Sequence, residues 1–229
     1  MNQKKLFPAV ESKISVLTTW LVNGLLYGLL LFCFVIFGAL PVYGIYKRGW
    51  ENTTVPIIIC LLILCFIWAP SVWFYGMKRK KMANKIVIDD SGLFHYNAHN
   101  EVVTRILYTQ LVSSGRDFDI TTISTSKGLK SLLEFHVQDE KADHVVKQIE
   151  MSLPMHVVNN RYHLYAHFLK GISTFRPDLK IDPKVFRDYS IDKETWQVFD
   201  KSSTSLLLLM FLAVFLTAGL LIWLVMVFT

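Results

Sequence analysis

Three stretches of this chain carry no Lys, Arg, Asp or Glu: Ile14 to Tyr46, Asn52 to Met77 and Ser202 to Thr229. Each is longer than the roughly 20 apolar residues that cross a hydrocarbon core, so each predicts a membrane helix. The expected helices run over about 18–45, 55–75 and 206–228, with Lys47, Arg48 and Glu51 turning the first two into a hairpin. Between the second and third runs the periodicity changes. Ile86 and Ile88 alternate with neighbours of the opposite face, Asp90, Ser91 and Gly92 make a turn, and Leu93 to Tyr96 follows as the partner strand. Val102 to Tyr108 is rich in β-branched and aromatic residues, while Phe118, Ile120 and Thr122, then Leu133, Phe135 and Val137, alternate in turn. This predicts an antiparallel meander of five or six strands. Ala142, Val145, Val146, Ile149 and Leu153 then recur at helical spacing behind Asp139, which predicts one helix closing the sheet.

A second helical unit is expected beyond it. Leu164, Tyr165, Phe168, Leu169 and Ile172 form an apolar stripe after the capping residue Asn160. Asp182 with Pro183 opens a short helix carrying Phe186, and Asp192 caps a last one with Trp196 and Phe199. The expected organisation is a lead over 1–17, a transmembrane hairpin over 18–77, a sheet domain over 78–153, a helical extension over 154–203 and a third transmembrane helix over 204–229. The fold class is a membrane protein of α+β type.

A hairpin, the basic flank Lys78 to Lys81, a strand from Lys85 to Asp89, a turn at Asp90 to Gly92 and strands ending in one helix together resemble the YcxB-like and bacterial pleckstrin-homology-like membrane proteins. The resemblance covers roughly residues 18–153 and implies a pleckstrin-like (PH-like) antiparallel sheet closed by a helix. Strand rhythm rather than fixed chemistry defines these families, so no site residue is carried over. Residues 154–229 depart from the family's two-span pattern.

Charge sets the expected topology. Three cations (Lys4, Lys5, Lys13) precede the first helix, two lie in the hairpin turn, and Lys78, Arg79, Lys80 and Lys81 follow the second helix at once. Positive charge collects on the cytoplasmic side. The N-terminus and the domain are therefore expected inside the bacterial cytoplasmic (inner) membrane, and the C-terminus outside. The net charge of +6 belongs largely to these flanks: residues 78–201 hold 19 Lys and Arg against 16 Asp and Glu, four of the cations being the cluster at 78–81. Nucleic acid is not an expected partner. Cys33, Cys60 and Cys65 lie inside apolar runs and imply neither a disulfide framework nor a thiolate metal site.

The chemistry on offer is thin. His163 and His167 stand four apart on one predicted helical face, a spacing that suits zinc, but a third ligand and the glutamate of the helical zinc-protease motif are missing. His95, His99, His136 and His144 accompany no recognisable nucleophile, and no glycine-rich phosphate loop occurs. The spans hold no ionisable side chain of the kind pumps and transporters place in their interiors. No catalytic residue, cofactor or metal is therefore assigned. The cluster Lys78, Arg79, Lys80 and Lys81 is the expected membrane-surface contact, with membrane lipid as partner. Gly24 and Gly28, four apart, are the expected helix-packing pair and leave a homodimer open. Tyr162, Tyr165, Phe186, Tyr189 and Trp196 exceed what short helices need for a core and are the expected docking surface for a protein partner. The expected function is a non-enzymatic membrane-anchored interaction or regulatory protein, for example an immunity protein neutralising a toxin. Its alternatives are a metal-dependent membrane enzyme using His163 and His167, separable by metal content, and a channel or transporter subunit, separable by flux in liposomes.

Overall fold

The computed structural model of the chain describes residues 7–51, 54–78, 82–124, 131–138 and 144–199. The third apolar run and the basic residues 79–81 lie outside these, as does the side chain of Lys78. The hairpin is present: α1 covers Val16–Arg48 and α2 covers Thr54–Lys78. Each contains a window long and apolar enough to cross a membrane, Val16–Lys47 and Thr54–Trp73, with mean hydropathies of 2.5 and 2.6. Phe34 of α1 meets Trp68 of α2 edge to face at 5.7 Å. Gly24 and Gly28 are exposed, and a Cβ added at either would meet nothing within 4 Å. The expectation that they pack helix on helix is thus not met between α1 and α2, because the contact runs along another face of α1.

The rest of the described chain is two antiparallel sheets and two helices around one core. The first sheet has the order β1 (Val10–Glu11), β2 (Lys85–Ile88), β3 (Gly92–Tyr96), β4 (Val102–Leu107). Asp89 makes the expected β2–β3 turn, its Oδ1 accepting from the Ser91 and Gly92 amides at 2.9 and 3.1 Å. Gly92 is required there, since a Cβ would come within 2.1 Å of the Ile106 carbonyl oxygen. After a 3-10 turn at Tyr108–Gln110 comes the second sheet: β5 (Leu111–Val112), β6 (Ile120–Ser124), β7 (Ser131–Gln138) and β8 (His144–Ile149). β7 is central, with β5 and β6 end to end along one edge and β8 along the other.

β8 corrects an expectation. The run read as a closing helix over 142–153 is a strand over His144–Ile149 and irregular over 150–153. Three apolar positions spaced for a helix also fit a β-branched strand, and pairing with Leu133 to Gln138 of β7 decides between them. Its Val145 and Val146 are exposed, whereas a core-facing helix would have buried them. The element that closes the sheets is α3 (Arg161–Phe175), followed by α4 (Pro183–Asp188). Asp182 caps α4 as expected, accepting from the Lys184 amide at 2.8 Å. No last helix follows Asp192: its carboxylate accepts from the Glu194 and Thr195 amides at 2.8 and 3.2 Å and closes a tight loop instead.

The core runs through the expected boundary at residue 153. Ile86, Ile88, Leu93 and Leu133 from the sheets meet Leu164, Phe168, Leu169 and Ile172 of α3 and Val185 of α4, all fully buried. Each such side chain contributes roughly 1.5–3 kcal/mol, so the residues after 153 complete the domain rather than append to it.

β1 lies before α1 in the chain and pairs with β2, which lies after α2. A strand of two residues has little pairing of its own, and the Glu11–Lys85 ion pair, 2.7 Å long with side chains 58% and 40% exposed, contributes at most about 1 kcal/mol. Asn160 holds the segment more firmly. It leaves the cap role unfilled, and its side chain instead accepts from the Lys13 amide at 2.7 Å and donates to the Glu11 carbonyl at 2.9 Å. Replacing Asn160 with Ala is expected to cost about 1–2 kcal/mol locally. Faster hydrogen exchange confined to the amides of residues 10–13 checks this, and unchanged exchange there refutes it.

Candidate functional site

A groove of about 420 Å³ runs between β1 and α3. It is lined by Lys13, by Asn160 at the start of α3, by His163, His167 and Lys170 of α3, and by Thr195 and Trp196. Lys13, His163 and Lys170 are exposed, and among the described residues no carboxylate lines the groove.

The two expected histidines therefore share one surface but in different states. The His167 ring stacks on Phe7 with centroids 4.2 Å apart, and its Nε2 donates to the Pro8 carbonyl at 2.8 Å. Burial pushes the imidazole's pKa below its usual value and Lys170 adds to the fall, while the Pro8 bond opposes it. With Nε2 committed to a carbonyl, the lone pair of the neutral His167 ring is on Nδ1. Among the described residues no group of three or more His, Cys, Asp or Glu is placed to hold a metal ion. His95 is buried in β3, and that burial lowers its pKa; His99 and His144 are exposed.

Trp196 lines the groove in an unusual backbone. Its φ of +59° is a conformation that a bulky side chain adopts at a cost of about 1–3 kcal/mol. The surrounding loop imposes it: the Trp196 amide donates to the Asp192 carbonyl at 2.9 Å, the Asp192 amide donates to the Gln197 carbonyl at 2.8 Å, and Ile191 bridges Val198. The indole leans on Phe186 at 5.7 Å and stays half-buried.

The expected docking aromatics mostly belong to the core. Tyr165, Phe186 and Tyr189 are 1%, 7% and 3% exposed, so they are not available to a partner. Tyr165 and Tyr189 stack at 3.9 Å, Tyr165 Oη accepts from the Met151 amide at 3.0 Å, and Tyr189 Oη donates to the Ser131 carbonyl at 3.2 Å. These rings join α3 and the loop after α4 to the end of the second sheet, which is why the segment needs so many. Burial drives both phenol pKa values up. Of the five, Tyr162 and Trp196 remain half-exposed, Tyr162 accepting from Arg161 at 3.0 Å.

Sequence reasoning missed two features. Lys13 and Trp196 flank the His163–His167 face only because β1 and the 192–198 loop fold back onto α3. The other is a set of exposed valines in each sheet: Val102 and Val103 on β4 are 49% and 43% exposed, and Val145 and Val146 on β8 are 38% and 44% exposed. Adjacent valines inside one strand were its sequence signal, since neighbouring strand residues point to opposite faces. Comparison with protein-family models, curated proteins and solved structures finds no match to this chain.

Proposed function

We propose that this protein is a non-enzymatic interaction module anchored in the bacterial cytoplasmic membrane, with an α+β domain of pleckstrin-like type held at the inner face and presented to a protein partner. The observation that carries the reading is the clamp between hairpin and domain. The Ser15 amide donates to the Val157 carbonyl at 2.9 Å, the Val157 amide donates to Thr19 Oγ1 at 2.9 Å, and Asn23 Nδ2 donates to the Met155 carbonyl at 3.4 Å. Together with β1 these bonds hold the domain to the first two turns of α1 as a fixed body, not on a linker. Confinement of this kind raises the effective concentration of a binding surface toward other membrane proteins.

The pleckstrin-like assignment is supported by the four-stranded sheet, the second sheet and the closing α3, with the hairpin inserted after β1. The inner-face assignment is supported by the cations flanking both helices on the domain side. A photo-crosslinking residue at Val103 or Tyr162, introduced into the full chain in its native membranes, tests the reading. One stoichiometric protein adduct from either position is expected. Adducts only to lipid and to the chain itself overturn it.

A further inference from the structure

We propose that the groove between β1 and α3 seats the phosphate-bearing headgroup of an anionic membrane lipid. The inference goes beyond partner binding and requires only that α1 and α2 span the membrane. Its first support is chemical. Two ammonium groups, Lys13 and Lys170, and the exposed imidazole of His163 line one groove with Asn160 and Thr195, and among the described residues no carboxylate lines it. A phosphoryl oxyanion meets both positive charge and hydrogen-bond donors there.

The second support is position. Lys13 lies three residues before Val16, where α1 begins, so it stands within about 10 Å of the helix start along the chain. α1 has 33 residues against the roughly 20 that a hydrocarbon core requires. Its first two turns are those bonded to the loop at 155–157, which brings this side of the domain to the bilayer surface.

The third support is the aromatic rim. Trp196, held in its strained backbone, lines the groove, and Trp20 is 71% exposed on the second turn of α1. Indoles beside lysines at the end of a spanning helix are the composition of a membrane interface. A free phosphate would need the cations but not the indole or the nearness to α1, and so the lipid is the source the observations favour.

The test uses the full chain purified in a neutral detergent, with phosphatidylglycerol and phosphatidylcholine supplied in equal amounts and retained lipid counted by native mass spectrometry. Wild type is expected to retain phosphatidylglycerol in preference. Lys13→Gln and Lys170→Gln are each expected to weaken that retention about fivefold, and both together roughly thirtyfold. Lys184→Gln, an exposed lysine of α4 outside the groove, is expected to leave it unchanged. Equal retention by all variants, or an equal loss in Lys184→Gln, overturns the site. Displacement of the lipid by millimolar inorganic phosphate, with the same dependence on Lys13 and Lys170, overturns the lipid as its source. The partner-crosslinking experiment reads other positions, so either proposal can fail without the other.

Discussion

Gly171→Ala is expected to destabilise the domain by about 1–3 kcal/mol, toward the upper end of the range for overpacked cores. The added Cβ would lie 2.0 Å from the Tyr108 hydroxyl, 2.3 Å from its Cζ and 2.9 Å from its Cε1. A flexible side chain would swing away, but this ring cannot. Tyr108 is 2% exposed and stacked between Phe168 at 5.6 Å and Phe175 at 5.2 Å, so α3 itself must move off the first sheet. Thermal unfolding of the full chain in detergent, followed by near-ultraviolet circular dichroism, should show a midpoint lower by roughly 5–10 °C. Gly24→Ala should leave the midpoint where it is, because a Cβ there has open space around it. An unmoved midpoint in Gly171→Ala would show that α3 does not approach Tyr108 as closely as described.

The same contact predicts the opposite sign for Tyr108→Phe. The Tyr108 hydroxyl is, among the described residues, the only buried side-chain nitrogen or oxygen without a hydrogen-bond partner. A buried hydroxyl without a partner costs roughly 1–3 kcal/mol. Its removal should therefore raise the midpoint slightly, while recovering only part of the loss in a Gly171→Ala background, where the ring carbon still lies too close.

What the sequence made legible follows from the range of the interactions involved. The hairpin was legible because more than 20 uncharged residues have few other fates, and the β2–β3 turn because Asp90, Ser91 and Gly92 are turn formers in sequence, although the bonds that close it come from Asp89. The apolar stripe of α3 and the Asp182 cap were local in the same way. β1 was not legible: Glu11 finds its partner Val87 across the whole hairpin, and nothing in a two-residue strand announces it. Residues 144–149 failed for a different reason, since Val145, Val146 and Ile149 fit both periods and only β7 distinguishes them. The aromatic segment was read as a surface because its excess was judged against three small helices. Its rings in fact serve the second sheet as well, as the Tyr189 bond to Ser131 shows. Of the basic groove, the spacing of His163 and His167 was visible, but Lys13 reaches it from 150 residues away in the chain.

Asp119→Ala is expected to cost about 2–3 kcal/mol, and Asp119→Asn to remove part of the protein's sensitivity to acid. The carboxylate is 5% exposed and ties three parts of the chain together. It accepts from Ser113 Oγ at 2.6 Å and the Ser114 amide at 2.7 Å, which shape the excursion between β5 and β6, and from the Lys180 amide at 2.8 Å, which brings the segment before α4 alongside β6. Burial alone would raise its pKa, but the bonds from Lys180, Ser113 and Ser114 outweigh burial and hold it below its ordinary value of 3.8. A carboxyl whose folded pKa lies below its unfolded one stabilises the fold fully above the unfolded value and loses that contribution as pH falls through the folded one. The acid limb of stability should therefore begin near pH 4 and steepen below it. Asp178, lowered by its paired bonds from Arg176, and Asp192, lowered by its loop amides, titrate in the same window, so Asn at 119 should flatten the limb without abolishing it. The amide would also turn a donor toward the Lys180 N–H, so Asp119→Asn should be less stable than wild type at pH 7 as well as less sensitive to acid. Denaturant midpoints between pH 2.5 and 7 check both signs, and parallel curves for the two proteins would remove Asp119 from the account.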